Sequence, residues 1–527
     1  MVLDLDQLPS SPHLVPAFKS ALAGVDFLNL RQVNLDLMGE CIPGTNNATR
    51  QVRAYSLITW VYWVYPKILE KLGREEARSD ELIHFREKVE SLFVWGHKLA
   101  GLSGVPGISS KVPAPIRGQV DLRFSAWKRS RANTSLEAAV QYGPSLLDLG
   151  GLGLIRKVSP GIYACTRRGR KLAMAFDEHL RNCSDYDFLT DLSNLQGTEE
   201  QANNLLPFWR IDHTTPGESR AFRSILWDPA HAGEESDRGR RAAMIELILD
   251  LLATSDKPLD LDKIRKSLAL PELWRTDPLS DAMQRQSRSW FALQLRQLQR
   301  FAMESLMSWL ESCLIDGGHQ LPDDLVKLAE ETIGDDLEID TGSSVAESLG
   351  IVRRPFTSVP EFGKMVEKDP DWFSPWTLSD ELAEAVWEED DRRLSSAFYC
   401  LLLLNQCRPF LENDDLLERH LEQGGASRQS LAHWFRIVDR FKERPLRELI
   451  DWTIKNLIVS QHLAVGTQRF DGEKIRLRMI LEEDGLESLV TRPWQPGLTP
   501  DRLAALMSLL EGCRIVVQDD HGAFRLV

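Results

Sequence analysis

The chain has 527 residues, a formal net charge of −15, a sequence isoelectric point near 5.4 and a mean hydropathy of −0.26. That length exceeds one ordinary hydrophobic core, and an acidic balance of this size excludes a general nucleic-acid coat protein. The start MVLDLDQLPSSPHLV is acidic where a secretory signal would be basic, the longest apolar runs (57–65 and 397–404) are shorter than the roughly 20 residues of a membrane span, and the seven scattered cysteines form no disulfide framework, so a cytoplasmic, multi-domain protein without membrane contact is expected.

Residues 16–34 have the spacing of an amphipathic helix. Pro43-Gly44 then forms a turn, and residues 45–49 offer side chains that cap a following helix. In that helix Arg50, Arg53, Tyr55, Trp60, Tyr62, Trp63 and Tyr65 crowd one short segment. Two arginines beside aromatic rings suit a nucleotide or phosphate contact by Arg50 and Arg53; the alternative is a core helix whose polar ring atoms are hydrogen-bonded. A second long helix is expected over 80–102, with Phe85, Val89, Leu92, Phe93, Leu99 and Leu102 as its apolar stripe. Residues 101–115, rich in Gly, Pro and Ser, read as a linker or ordered loop. They are not a Walker loop, because Ser110 precedes Lys111 and Pro113 follows.

The densest positive charge comes next. Between residues 117 and 175 eleven Arg and Lys stand against three Asp and Glu, a basic island in an acidic chain. A helix is expected over 135–149, a strand at Leu154 and Ile155, and a turn at Ser159, Pro160 and Gly161. A second strand over 162–166 and the basic-fronted helix RRGRKLAMAFDEHL follow. Helix, strand, turn, strand, helix is the order of a winged-helix module. Its candidate DNA-binding residues are Lys128, Arg129, Arg131, Arg156, Lys157, Arg167, Arg168, Arg170 and Lys171. The competing reading is a solvated face, or ion pairs within the protein.

Further helices are expected over 237–252, 287–315, 392–411 and 427–457. In the second of these Arg296, Gln297, Gln299 and Arg300 interrupt an apolar surface, either lining an interface or capping neighbouring carbonyls. Acidic runs at 323–340 and 379–391, with Glu388, Glu389, Asp390 and Asp391, read as solvated helix ends rather than metal ligands. His179, Cys183 and Cys165 lack the fourth ligand of a structural zinc site, and Cys400 and Cys407 read as small buried hydrophobes. The chain closes with a helix from Thr499-Pro500-Asp501 through Leu510, then a hairpin over 514–517 and 523–527 whose turn residues Asp519 and Asp520 would repel phosphate. No catalytic residue, metal site or cofactor motif emerges.

Pro43-Gly44 followed by Thr49, Arg53, Tyr55 and Trp60 resembles an opening motif of uncharacterised bacterial proteins encoded near phage-defence and DNA-modification genes. Asn456, Gln461, His462 and the closing LTPDRLAALMSLLEGCRIV are similar to the same group. The resemblance implies a role in a multi-gene antiviral defence system, with other protein subunits as partners, and carries no catalytic residue with it.

The expected fold is therefore mainly α, a multi-domain helical protein with an embedded winged-helix module and a C-terminal helix plus β-hairpin. Its segments are an N-terminal helical domain over 1–115, a winged-helix domain over 116–185, helical domains over 186–345 and 346–490, and a helix and hairpin over 491–527 that form a second winged-helix-like unit. The expected function is that of a non-enzymatic DNA-binding and adaptor subunit of a protein complex. A metal-dependent nuclease with dispersed acidic residues and a pure protein-interaction scaffold stand as alternatives.

Overall fold

The computed structural model describes residues 26–159, 162–352, 358, 361, 364, 382–388, 390–470 and 476–527. Residues 16–25 of the first expected helix, Pro160 and Gly161 of the hairpin turn, and Glu389 with residues 379–381 of the second acidic run lie outside them. The described chain is mainly helical, and its paired strands form two-stranded antiparallel sheets. It divides into two compact units, one of residues 1–38, 266–278 and 287–499, the other of 39–265, 279–286 and 500–527. The boundaries expected at 115/116 and 185/186 both fall inside the second unit.

The second unit is built on helix α1 (Val52–Lys71), buried without a break from Val52 to Tyr65. A helix buried all round needs partners for its polar tips, and the aromatic rings of α1 find theirs. Trp60 Nε1 donates to Asp177 at 2.8 Å, Tyr65 Oη to Glu81 at 3.0 Å, Tyr62 Oη to Glu137, and Tyr55 Oη meets Ser145 Oγ. Helix α2 (Ser79–Leu99) supplies a second buried element, in which Glu87, Lys88 and Glu90 are buried along with Leu92 and Phe93.

The hairpin of strands β1 (Ile155–Ser159) and β2 (Ile162–Cys165) pairs Ile155 with Cys165 and Arg156 with Ala164, and leads into helix α3 (Arg167–Leu180). Thr166 caps α3 by accepting from Gly169 N–H at 3.1 Å. The buried residues Gly169, Leu172, Ala173, Phe176, Asp177 and Leu180 recur at i, i+3, i+4, i+7, i+8 and i+11 and form one stripe. That stripe packs on α1: Gly169 lies against Thr59, and Trp60 meets Phe176 edge-on at 6.0 Å. A Cβ at Gly169 would sit 2.3 Å from Leu154 O and 2.8 Å from Thr59 Cγ2, so the close approach of α1 and α3 requires glycine there.

Upstream of the hairpin the expectation is corrected. Residues 135–149 do not form a helix: the stretch consists of turns, with a single helical turn at Gly143–Leu146. Glu90 of α2 explains this, because it accepts from Ser135 Oγ and from Leu136 N–H, each at 2.8 Å, and holds the backbone away from helical pairing. Pro144 then sits in the first turn of the short helix, where its missing N–H is harmless but where no longer helix can pass. The first strand also extends further than expected, so Arg156 and Lys157 lie within it. At the C-terminus the helix Leu503–Gly512 and the hairpin Val516–Gln518 with Phe524–Leu526 form as expected.

In the first unit, residues 287–317 of the long helix Asp281–Gly317 run through a core that buries many polar side chains. Of the two readings for its polar interruptions, carbonyl capping is the observed one. Arg296 donates to Arg428 O at 3.0 Å and to Gln429 O at 2.5 Å, Gln299 to Gln429 O at 3.0 Å, and Arg300 to Gly497 O. Burial holds the Arg296 guanidinium down to about 9. Cys400 and Cys407 are buried. The expected helix over 427–457 is instead Leu431–Phe441, Leu446–Trp452 and an eight-residue π-helix, Thr453–Ser460. A hairpin not anticipated from the sequence pairs Met479–Glu482 with Gly485–Ser488.

Two measurements check this packing. Gly169→Ala should destabilise the chain by about 1–3 kcal/mol in a chemical melt, the usual range for an overpacked contact; an unchanged midpoint would contradict the close approach. The second concerns His462, whose Nε2 accepts from Arg478 N–H at 2.9 Å and which burial holds down to about 4. In the unfolded chain that ring protonates near 6.5, so folding stability is lost as pH falls from about 6.5 towards 4, on the order of 3 kcal/mol in full. His462→Gln should therefore lose less stability than the unaltered chain between pH 7 and pH 5, and equal losses would contradict the assignment.

Candidate nucleic-acid interface

The basic residues singled out in the sequence separate into three groups. Arg129 and Arg53 are the first, and for both the expectation is corrected: they are buried structural cations. Arg129 stacks on the Phe124 ring at 3.9 Å, donates to Thr134 O at 2.7 Å and pairs with Glu90 at 3.6 Å. Arg53 donates to His213 O at 3.0 Å and Phe208 O at 2.9 Å, and pairs with Glu218 at 3.1 Å. Burial lowers both guanidinium values, Glu90 opposing it at Arg129 and Glu218 at Arg53. Neither side chain can reach a ligand in solvent. Arg50, by contrast, is exposed.

The second group is Lys128 and Arg131, on the turns that follow Phe124. Both are exposed, but Arg131 Nε is held by Glu87 at 2.6 Å. The third group is Arg156 and Lys157 on β1 with Arg167, Arg168, Arg170 and Lys171 on the first turn and a half of α3. All six are exposed, and among the described residues none has an ion-pair partner within 4.0 Å. The strand register relates them: Ile155 faces Cys165 and Arg156 faces Ala164, so the start of β1 lies beside the end of β2 that leads into α3.

Two features set this group apart. The first turn and a half of α3 holds no acidic residue and four cations, although the partial positive charge of a helix N-terminus disfavours cations there by about 0.3–1 kcal/mol each. The Arg168 side chain also lies over Gly153, 3.5 Å from an ideal Cβ position, beside further positive charge. Its guanidinium value is lowered by partial burial and then by Arg238, with Asp228 opposing. Burial, and after it Arg168, bring the buried Arg241 down to about 10. Arg241 in turn donates to Pro43 O at 2.9 Å and Leu226 O at 2.8 Å, and the left-handed Gly44 (φ +79°) lies against it. Arg238 is itself paired with Asp228 at 2.5 Å, so the local excess of positive charge rests on Arg168 with its exposed neighbours on α3 and β1.

The motif residues of the opening segment are structural. Pro43-Gly44 receives Arg241, Thr49 Oγ1 donates to Asn46 O at 2.8 Å, and Arg53, Tyr55 and Trp60 tie α1 to its neighbours. Of the later motif, Gln461 Nε2 donates to Leu28 O and Ser427 O. Cys183 Sγ donates to Asn204 O at 3.6 Å and His179 lies against Phe208. Among the described residues no group of three or more His, Cys, Asp or Glu is placed to hold a metal ion, and no helix is long and apolar enough to cross a membrane. Comparison with protein-family models, curated proteins and solved structures returns no match.

The division between structural and free cations is testable. Arg53→Ala leaves Glu218 buried without its charge partner and should cost about 3–5 kcal/mol of stability. Arg170→Ala should shift the midpoint of a urea melt by no more than about 0.5 kcal/mol. Equal losses at the two positions would contradict the sorting.

Proposed function

We propose that the protein is a non-enzymatic DNA-binding and adaptor subunit of a bacterial multi-protein complex, one of antiphage defence, that holds DNA through its hairpin and α3. The observation that carries this reading is the set of six exposed, unpaired cations Arg156, Lys157, Arg167, Arg168, Arg170 and Lys171, four of them at a helix end that disfavours positive charge. The hairpin serves as the wing of a winged-helix-like module. With turns in place of a helix over 135–142, no element ahead of the hairpin is available to enter a groove, so contact is made to phosphates rather than to base edges. The net charge of −15 keeps such binding local by repelling DNA elsewhere, and the acidic helical surfaces serve as docking faces for protein subunits. The defence setting rests on the resemblance of the Pro43-Gly44 and Asn456 segments.

Each phosphate neutralised adds about 0.9 to the slope of log affinity against log salt. Replacing Arg167, Arg170 and Lys171 together by Glu should abolish binding to duplexes of unrelated sequence at moderate salt while far-UV circular dichroism stays unchanged. Binding of the triple variant equal to that of the unaltered chain would overturn the proposal.

A further inference from the structure

Helix α4 (Pro216–Leu226) lies alongside α3 and extends the basic surface onto a second element that the sequence does not mark. Four contacts fix the directions of the helices. Thr59 of α1 meets Gly169 at the start of α3, while Arg53, earlier in α1, stands over Phe176 near its end, so α1 and α3 run antiparallel. Arg53 pairs with Glu218 at the start of α4 and Tyr55 stacks near Phe222 further along it, so α1 and α4 run parallel. It follows that α3 and α4 run antiparallel to each other. They touch where an ideal Cβ at Gly217 would lie 3.5 Å from Ala175 Cβ, two small residues that let the helices approach.

From that contact the helical repeat assigns the facing stripes. On α3, Ala175 shares its stripe with Lys171 and Arg168, at i−4 and i−7. On α4, Gly217 shares its stripe with Arg220, Ala221 and Ser224, at i+3, i+4 and i+7. Because the helices are antiparallel, moving from Ala175 towards the start of α3 is moving from Gly217 towards the end of α4. Lys171 therefore faces the level of Arg220, and Arg168 the level of Ser224. Arg168, Lys171, Arg220 and Ser224 are all exposed, and among the described residues Arg220 has no ion pair. Ser224 Oγ donates to Ala221 O at 2.8 Å, so its hydroxyl is used within α4 and the cations alone supply the track with charge.

We infer that the open groove between α3 and α4 is a phosphate track, in which Arg168 and Lys171 from one wall and Arg220 from the other hold the sugar–phosphate backbone of duplex DNA beyond the hairpin. The inference rests on the reading given under Proposed function and adds to it a second element, a direction for the bound backbone along the helix pair, and a residue outside the basic island.

The test uses the full chain and two duplexes of unrelated sequence, with fluorescence anisotropy over a series of salt concentrations. Arg220→Gln should weaken binding to both duplexes alike and lower the log–log salt slope by about 1, as expected for one lost phosphate contact. Ser224→Asp, which places an anion on the same stripe, should weaken binding at least as much. Lys327→Gln, an equal charge change in the other unit, should leave the slope alone. If Arg220→Gln and Ser224→Asp bind like the unaltered chain while the Arg167, Arg170, Lys171 triple variant does not bind, the groove is not part of the interface and only the hairpin reading stands. If the unaltered chain shows no salt-sensitive binding to either duplex, both readings fall.

Discussion

The close approach of α3 to α1 at Gly169 is the constraint on which the rest of the second unit depends. With no side chain at that position, the entry to α3 sits against Leu154 and Thr59, and the apolar stripe of α3 turns onto an α1 that is itself buried. Trp60 fixes the rotation by donating to Asp177, which also accepts from Tyr186 Oη at 2.6 Å and pairs with Arg181 at 2.7 Å. Once that face is committed, Arg167, Arg168, Arg170 and Lys171 lie on the exposed side of α3. The positive end of the helix and its four cations are thus presented together by packing, and among the described residues no ion pair neutralises them.

Arginine does two distinct jobs in this chain, and geometry separates them. A guanidinium offers five donors in a fixed fork, which suits it to tying together backbone carbonyls that no regular element has satisfied. Arg53, Arg241 and Arg296 do this, joining respectively Phe208 with His213, Pro43 with Leu226, and Arg428 with Gln429. These charges are buried and lowered in basicity by that burial. The exposed set on the hairpin and α3 has no such acceptors. A sum of positive charge along the sequence mixes the two kinds.

The parts of the fold that could be read from the chain are those governed by local periodicity. The helix over 237–254, the long helix of residues 281–317, the hairpin leading into α3, and the closing helix and hairpin all lie where apolar spacing and turn residues indicate. The misreadings trace to partners distant in sequence. Residues 135–142 turn instead of coiling because Glu90, 46 residues before Leu136, takes that amide. Arg129 is lost from the surface because the same Glu90 and the Phe124 ring receive it. The hairpin Met479–Glu482 with Gly485–Ser488 escaped notice because its strands are four residues each and its turn is acidic rather than glycine-rich on both sides.

The account is most directly tested by the salt dependence of duplex binding by the unaltered full chain. If the six free cations of β1 and α3 all reach phosphates, log affinity should fall against log salt with a slope of about −5, the same for duplexes of unrelated sequence. Binding that is absent at low salt, or that persists unchanged as salt rises, would contradict the claim that this exposed, unneutralised cluster is the contact with nucleic acid.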